Sequence, residues 1–161
     1  MHFSYDPAGS FVIHGVEGPL QQILAAIPLA AQAGESVPAR DRLFPEPATG
    51  KDAAEISEEW REYVQPGLRH LFEEAVVTVA ADLKQMEGGG ETLTIVRQNI
   101  DAWLNTLNQA RLVLAARFNV TEADMDGPAS HLLTSDRDFA LFQIYFYGAL
   151  QEFMIQGIDE G

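Results

Sequence analysis

Cysteine is absent from the 161-residue sequence, which excludes disulfides, thiolate-held zinc or iron–sulfur sites and thiol catalysis. Basic residues are scarce, with 10 Lys and Arg against 24 Asp and Glu and a formal net charge of -14. A chain so acidic repels phosphate backbones and anionic lipid, so neither nucleic acid nor a membrane surface is an expected partner. Long apolar runs are missing too. The longest, Ile23 to Ala31, falls short of the roughly 20 residues a bilayer requires and is interrupted by Pro28. The opening "MHFSYDPAGS" has neither a basic nor an apolar leader region, and the expected location is the cytoplasm. No fixed-period repeat is visible, which sets solenoids aside.

Catalytic signatures are equally sparse. There is no G-x-S-x-G elbow, and the three glycines of "EGGGET" lack the following Gly-Lys-Ser/Thr and the preceding strand of a phosphate loop. "HLFEE" sets His70 three and four residues from Glu73 and Glu74, but a bundle dimetal site needs matching ligands on further helices. The remaining histidines, His2, His14 and His131, fall in hairpin or loop segments. The simpler reading is a pair of weak surface contacts, Arg69 with Glu73 and His70 with Glu74. No metal and no cofactor is expected.

What is present is an apolar pattern. A hydrophobic content of 47% suits one domain, residues 1–161, with a sizeable core. "HFSY" and "SFVIH" alternate in period two around "DPAG", which predicts a hairpin over 1–16 whose free edges could pair with a second copy, giving a homodimer. Leu20, Ile23, Leu24, Ile27 and Ala31 form one helical stripe that Pro28 should kink or split. Residues 34–54, rich in Pro, Ala and Gly, are expected to be an extended strap anchored by Leu43 and Phe44. A short helix before Pro66 and a long one after it follow, then a helix from about Leu93 to Phe118 and another from about Asp136 to Ile158. Thr121 with Asp124, and Ser135 with Asp138, resemble capping boxes that mark helix starts. The class is mainly α, a helical bundle of about four to six helices with an N-terminal two-stranded β-hairpin.

Two features stand out as candidate sites. Arg111 lies inside the apolar arc formed by Trp103, Leu107, Ala110, Leu114 and Phe118, where a guanidinium needs a partner. Glu152 is the expected counter-charge, being the only acid in the otherwise uncharged stretch Phe139 to Ile158, with Asn108 and Gln151 placed to satisfy further donors and acceptors. The alternative is an anion pocket around Arg111, Asn108 and Arg117. The second feature is the acidic stretch from Glu46 to Glu74, where Glu58, Glu59 and Glu62, next to Arg42 and Phe44 of the strap, would form an interaction surface.

The stretch "WLNTLNQARLVLAARFNV", with "VEGPLQQIL" and "RLFPEP" before it and "LQE" after it, resembles the bacterial domain-of-unknown-function family two-zero-one-seven over nearly the whole chain. This sequence has Gln109 where members commonly carry aspartate, and Ala115 and Ala116 where a glycine is often found. The resemblance implies no established activity. It does imply a genomic neighbour, because members are often encoded beside the adaptor of the Clp protease. The sequence therefore points to a non-enzymatic protein-interaction or regulatory protein, with the Clp adaptor or unfoldase as first candidate partners. The runner-up is an enzyme or small-anion sensor built on Arg111.

Overall fold

The computed structural model describes residues 1–47, 50, 52–126 and 134–159. The chain opens with strands β1 (His2–Tyr5) and β2 (Phe11–His14), followed by helices α1 (Pro19–Ala25), α2 (Ile27–Ala30), α3 (Val37–Leu43), α4 (Ala53–Tyr63) and α5 (Gln65–Leu83). Strand β3 (Thr92–Ile95) leads into α6 (Ile100–Arg117), then α7 (Glu122–Asp126) and α8 (Asp136–Asp159). The protein is mainly α, as expected. It carries eight α-helices among the described residues rather than four to six, because proline opens several short ones, with Pro in the first turn of α1, α2, α3 and α5.

The hairpin forms where the alternation places it. Asp6 nucleates the turn, its carboxylate accepting from the backbone N–H of Ala8 at 2.9 Å and of Ser10 at 2.8 Å, and Gly9 takes the left-handed conformation with φ 82. The sheet has one strand more than expected. Its order is β1-β2-β3, antiparallel throughout, with Phe11 opposite Ile95 and Ile13 opposite Leu93. The helix expected from Leu93 begins only at Ile100, because "TLTI" is a period-two strand that buries Leu93 and Ile95 and turns both threonines outward. The Gln85 carboxamide covers that strand's backbone, donating to the Thr94 carbonyl at 2.9 Å and accepting from its N–H at 3.1 Å.

Residues 34–54 are likewise not wholly extended, since they contain α3. Pro38 starts that helix rather than preventing it: it sits in the first turn, where no N–H is needed, and the Ser36 hydroxyl accepts from the Ala39 N–H at 3.3 Å. Residues 48, 49 and 51 of this segment, and His131, lie outside the described residues. Proline also divides the first helical stripe, with Pro19 opening α1 and Pro28 lying in the first turn of α2.

Helix α6 is the spine, packing against α2, α3, α5 and α8. Trp103, Leu107, Ala110 and Leu114 meet the inner sheet residues and Tyr147 in one core, while Val113 on another face joins Ala33 and Ala39 in a smaller cluster. A polar joint fixes α5 against α6. Asp82 accepts from the Trp103 indole N–H at 2.8 Å and from the Asn99 amide at 3.1 Å.

Candidate functional site

Arg111 does face α8, but its partner is not Glu152. Its Nη1 donates to Gln151 Oε1 at 2.8 Å, and Gln151 Nε2 donates in turn to the Leu104 carbonyl at 3.0 Å. One residue along a helix is a rotation of about 100°. Gln151 therefore points at α6 while Glu152 points to solvent, where it accepts from Gln156 at 3.3 Å. Gly148 makes room for the guanidinium, since a Cβ there would come within 3.2 Å of its central carbon. Arg111 is only partly buried, and its Nε has no partner. A neutral acceptor and residual solvent hold this charge, with no buried ion pair involved.

Asn108, Arg111 and Arg117 do not converge. Asn108 is exposed, and Arg117 reaches in another direction, donating to the carbonyls of Gln32 at 2.9 Å and Ala33 at 2.8 Å. Those carbonyls follow α2, so Arg117 pins the turn from α2 into α3.

The proposed interaction residues divide into two groups. Glu58, Glu59 and Glu62 are all exposed on α4, as is Arg42 on α3. Phe44 is not a free surface anchor. Its ring packs against Phe72 with centroids 5.6 Å apart, and the Arg69 guanidinium lies 4.6 Å above it. Arg69 is thus drawn to Phe44 rather than to Glu73, whereas His70 does meet Glu74, at 3.1 Å on the open surface. Among the described residues no group of three or more His, Asp or Glu side chains comes together around a metal position.

Two further surfaces emerge from the packing. The first is the outer face of α8. Its core side is Ala140, Gln143, Ile144, Tyr147, Leu150 and Met154, so Phe139, Phe142 and Phe153 lie along its flank and Tyr145 on the opposite side. Phe139 is 38% exposed, Phe142 41%, Tyr145 62% and Phe153 47%, with no charged residue from Phe139 through Gln151. Exposed aromatics aligned on a rigid helix form a patch that water solvates poorly. The signal was there in a helix apolar nearly all round, which has more greasy surface than one core contact can cover.

The second is a cleft of about 370 Å³ between α3 and α5, floored by α6. Leu43, Phe72 and Val76 give it apolar walls, Arg40 and Arg69 stand at its sides, and Gln109 lies at its base. Gln109 is 3% exposed, and its Nε2 has no hydrogen-bond partner. A buried amide left unsatisfied costs about 1–3 kcal/mol. The available signal was a glutamine on the α6 face that also carries Val113, an amide where packing calls for carbon.

The family described as Domain of unknown function (DUF2017) matches residues 13–157. The chain belongs to the DUF2017 family. The match runs from Ile13 within β2 to Gly157 in the last turn of α8, so β3, the α6 spine and both surfaces lie within the DUF2017 region, whereas β1 and the start of β2 precede it. No curated protein and no solved structure matches the chain. No helix among the described residues is long and apolar enough to cross a membrane.

Proposed function

We propose that this DUF2017 protein is a non-catalytic cytoplasmic interaction module that docks a protein partner on the outer face of α8. The carrying observation is the set of exposed aromatic residues Phe139, Phe142, Tyr145 and Phe153 on a 24-residue helix, with Glu152 the one charged residue from Phe139 through Ile158. Aromatic side chains supply large contact area at low entropic cost and are enriched at interface centres. The acidic α4 face, with Glu58, Glu59 and Glu62, would steer a basic partner without contributing much to stability. With a net charge of -14 the partner is a protein and not nucleic acid. The Clp adaptor and unfoldase are the first partners to test, on the strength of the family resemblance alone. A homodimer through the same face is the second reading, favoured by β1, an outer strand of the sheet whose Phe3 meets Phe153 at 4.7 Å.

The test places a photo-crosslinking amino acid at Phe142 or, as a control, at Glu59, in cells of the native host. A discrete adduct from position 142, lost when Tyr145→Glu is added, supports docking on α8. A sedimentation mass of two chains, also lost with Tyr145→Glu, assigns the face to the homodimer. The same adducts from both positions, or none from position 142, would refute the reading.

A further inference from the structure

We propose that the cleft between α3 and α5 binds a small organic carboxylate with an apolar body. Its volume, about 370 Å³, lies at the lower end of the roughly 300–1,000 Å³ range of small-molecule sites, and its walls are largely carbon, as such sites require. The electrostatics run against those of the molecule as a whole. On a protein of net charge -14, the cleft is lined by two guanidiniums, Arg40 and Arg69, against one carboxylate, Glu73.

Among the described residues neither guanidinium is paired with a carboxylate. The ion pairs there are Arg61–Glu46, His70–Glu74 and Arg137–Asp124. Arg40 makes a long bond of 3.3 Å to the Glu35 carbonyl, and Arg69 stacks on Phe44. A guanidinium stacked on an aromatic ring keeps its N–H edge available for a carboxylate. At the base, the 97% of Gln109 that is buried includes an amide nitrogen with no acceptor. A ligand oxygen reaching the floor would give it one. Apolar walls, cationic sides and an unpaired donor below together describe an amphipathic monoanion, and a hydrocarbon or an amine would leave at least one of these groups unanswered.

The experiment titrates the full chain, isotopically labelled, with 4-phenylbutanoate, 4-phenylbutanol and 4-phenylbutylamine while backbone and side-chain amide resonances are followed. Saturable shifts are expected from the carboxylate in the millimolar range or below. They should be centred on α3, α5 and the Gln109 side-chain amide, with the alcohol about tenfold weaker and the amine weaker still. Arg69→Gln should weaken carboxylate binding about tenfold with only a small fall in melting temperature, because the stack it removes is exposed. Gln109→Leu should raise the melting temperature, because it removes the orphan amide, and weaken binding several-fold. Any one of three results overturns the proposal: no saturable shift, an alcohol that binds as tightly as the acid, or shifts confined to α8. Binding that is indifferent to both substitutions does so as well.

Discussion

The Tyr5 hydroxyl donates to the Met154 carbonyl at 2.7 Å, and its ring fills the space that a side chain at position 157 would need. Strand β1 is thereby fastened to the last turns of α8. Gly157→Ala would put a Cβ inside that ring, so the ring must leave its pocket, at a cost of about 1–3 kcal/mol. Tyr5→Phe should cost about 1 kcal/mol through the lost hydrogen bond. Denaturant melts check both, and Gly157→Ala should cost markedly less in a Tyr5→Ala background, because the obstructing ring is gone.

Arg111 couples to Gln151 and not to Glu152. A double-mutant cycle of Arg111→Met with Gln151→Leu should return a coupling of about 1.5–3 kcal/mol, the range for a hydrogen bond with one charged partner. Glu152→Gln alone should change stability by no more than about 0.5 kcal/mol, because its side chain stands in solvent. A coupling of Arg111 to Glu152 larger than that to Gln151 would contradict the observed pairing.

Asp124 sets an acid limit. The Thr121 backbone N–H, the Arg137 guanidinium and the Thr121 hydroxyl hold its carboxyl down to about 2, below the ordinary 3.8. With the folded value depressed, its contribution to stability is present above about 4 and is lost as pH falls towards about 2. Thermal melts of the native protein and of Asp124→Asn should therefore differ at pH 5 and converge towards pH 2.

Tyr147 sets the alkaline counterpart. Burial raises its hydroxyl to about 12 from the usual 10.0, against a smaller lowering by the Gln143 amide, while the hydroxyl donates to the Ile23 carbonyl at 2.8 Å. Here the folded value is raised, so stability is constant below pH 10 and declines as pH rises towards 12. Tyr147→Phe should be less stable at neutral pH, by about 1 kcal/mol for the lost bond, and should show a shallower alkaline decline. Ultraviolet titration of the tyrosines checks the late transition.

Local patterns carried much of this fold. The alternation around "DPAG" is enough to read the hairpin, because Asp6 and Gly9 are chemically suited to the turn they make. The Thr121/Asp124 and Ser135/Asp138 spacings are legible for the same reason: Asp124 accepts from the Thr121 N–H at 2.8 Å, and Ser135 Oγ from the Asp138 N–H at 3.1 Å. Where two periodicities overlap, the reading fails. Strand β3 abuts α6, so Val96 and the residues before it extend a helical stripe on paper while Leu93 and Ile95 follow a period of two in space. Residue type alone points Arg111 to a charged partner, but the rotation between adjacent residues of α8 presents an amide instead. Of the cleft, only Gln109, an amide on a packing face, is legible in the sequence. Arg40, Arg69 and Gln109 are far apart in the chain and meet only because α3 and α5 both rest on α6.

The order of the sheet has a consequence for the chain as it leaves the ribosome. Strand β2 is the middle strand, and its second neighbour, β3, is made only after α5 is complete, with Phe11 pairing to Ile95. At ordinary synthesis rates an interval of roughly eighty residues takes about 4–16 s, which is long compared with the microseconds a hairpin needs to form. During that time β2 presents an unpaired edge and the inner faces of Phe11 and Ile13 to whatever is nearby. Only when "TLTI" arrives does the chain itself cover that edge and close the sheet.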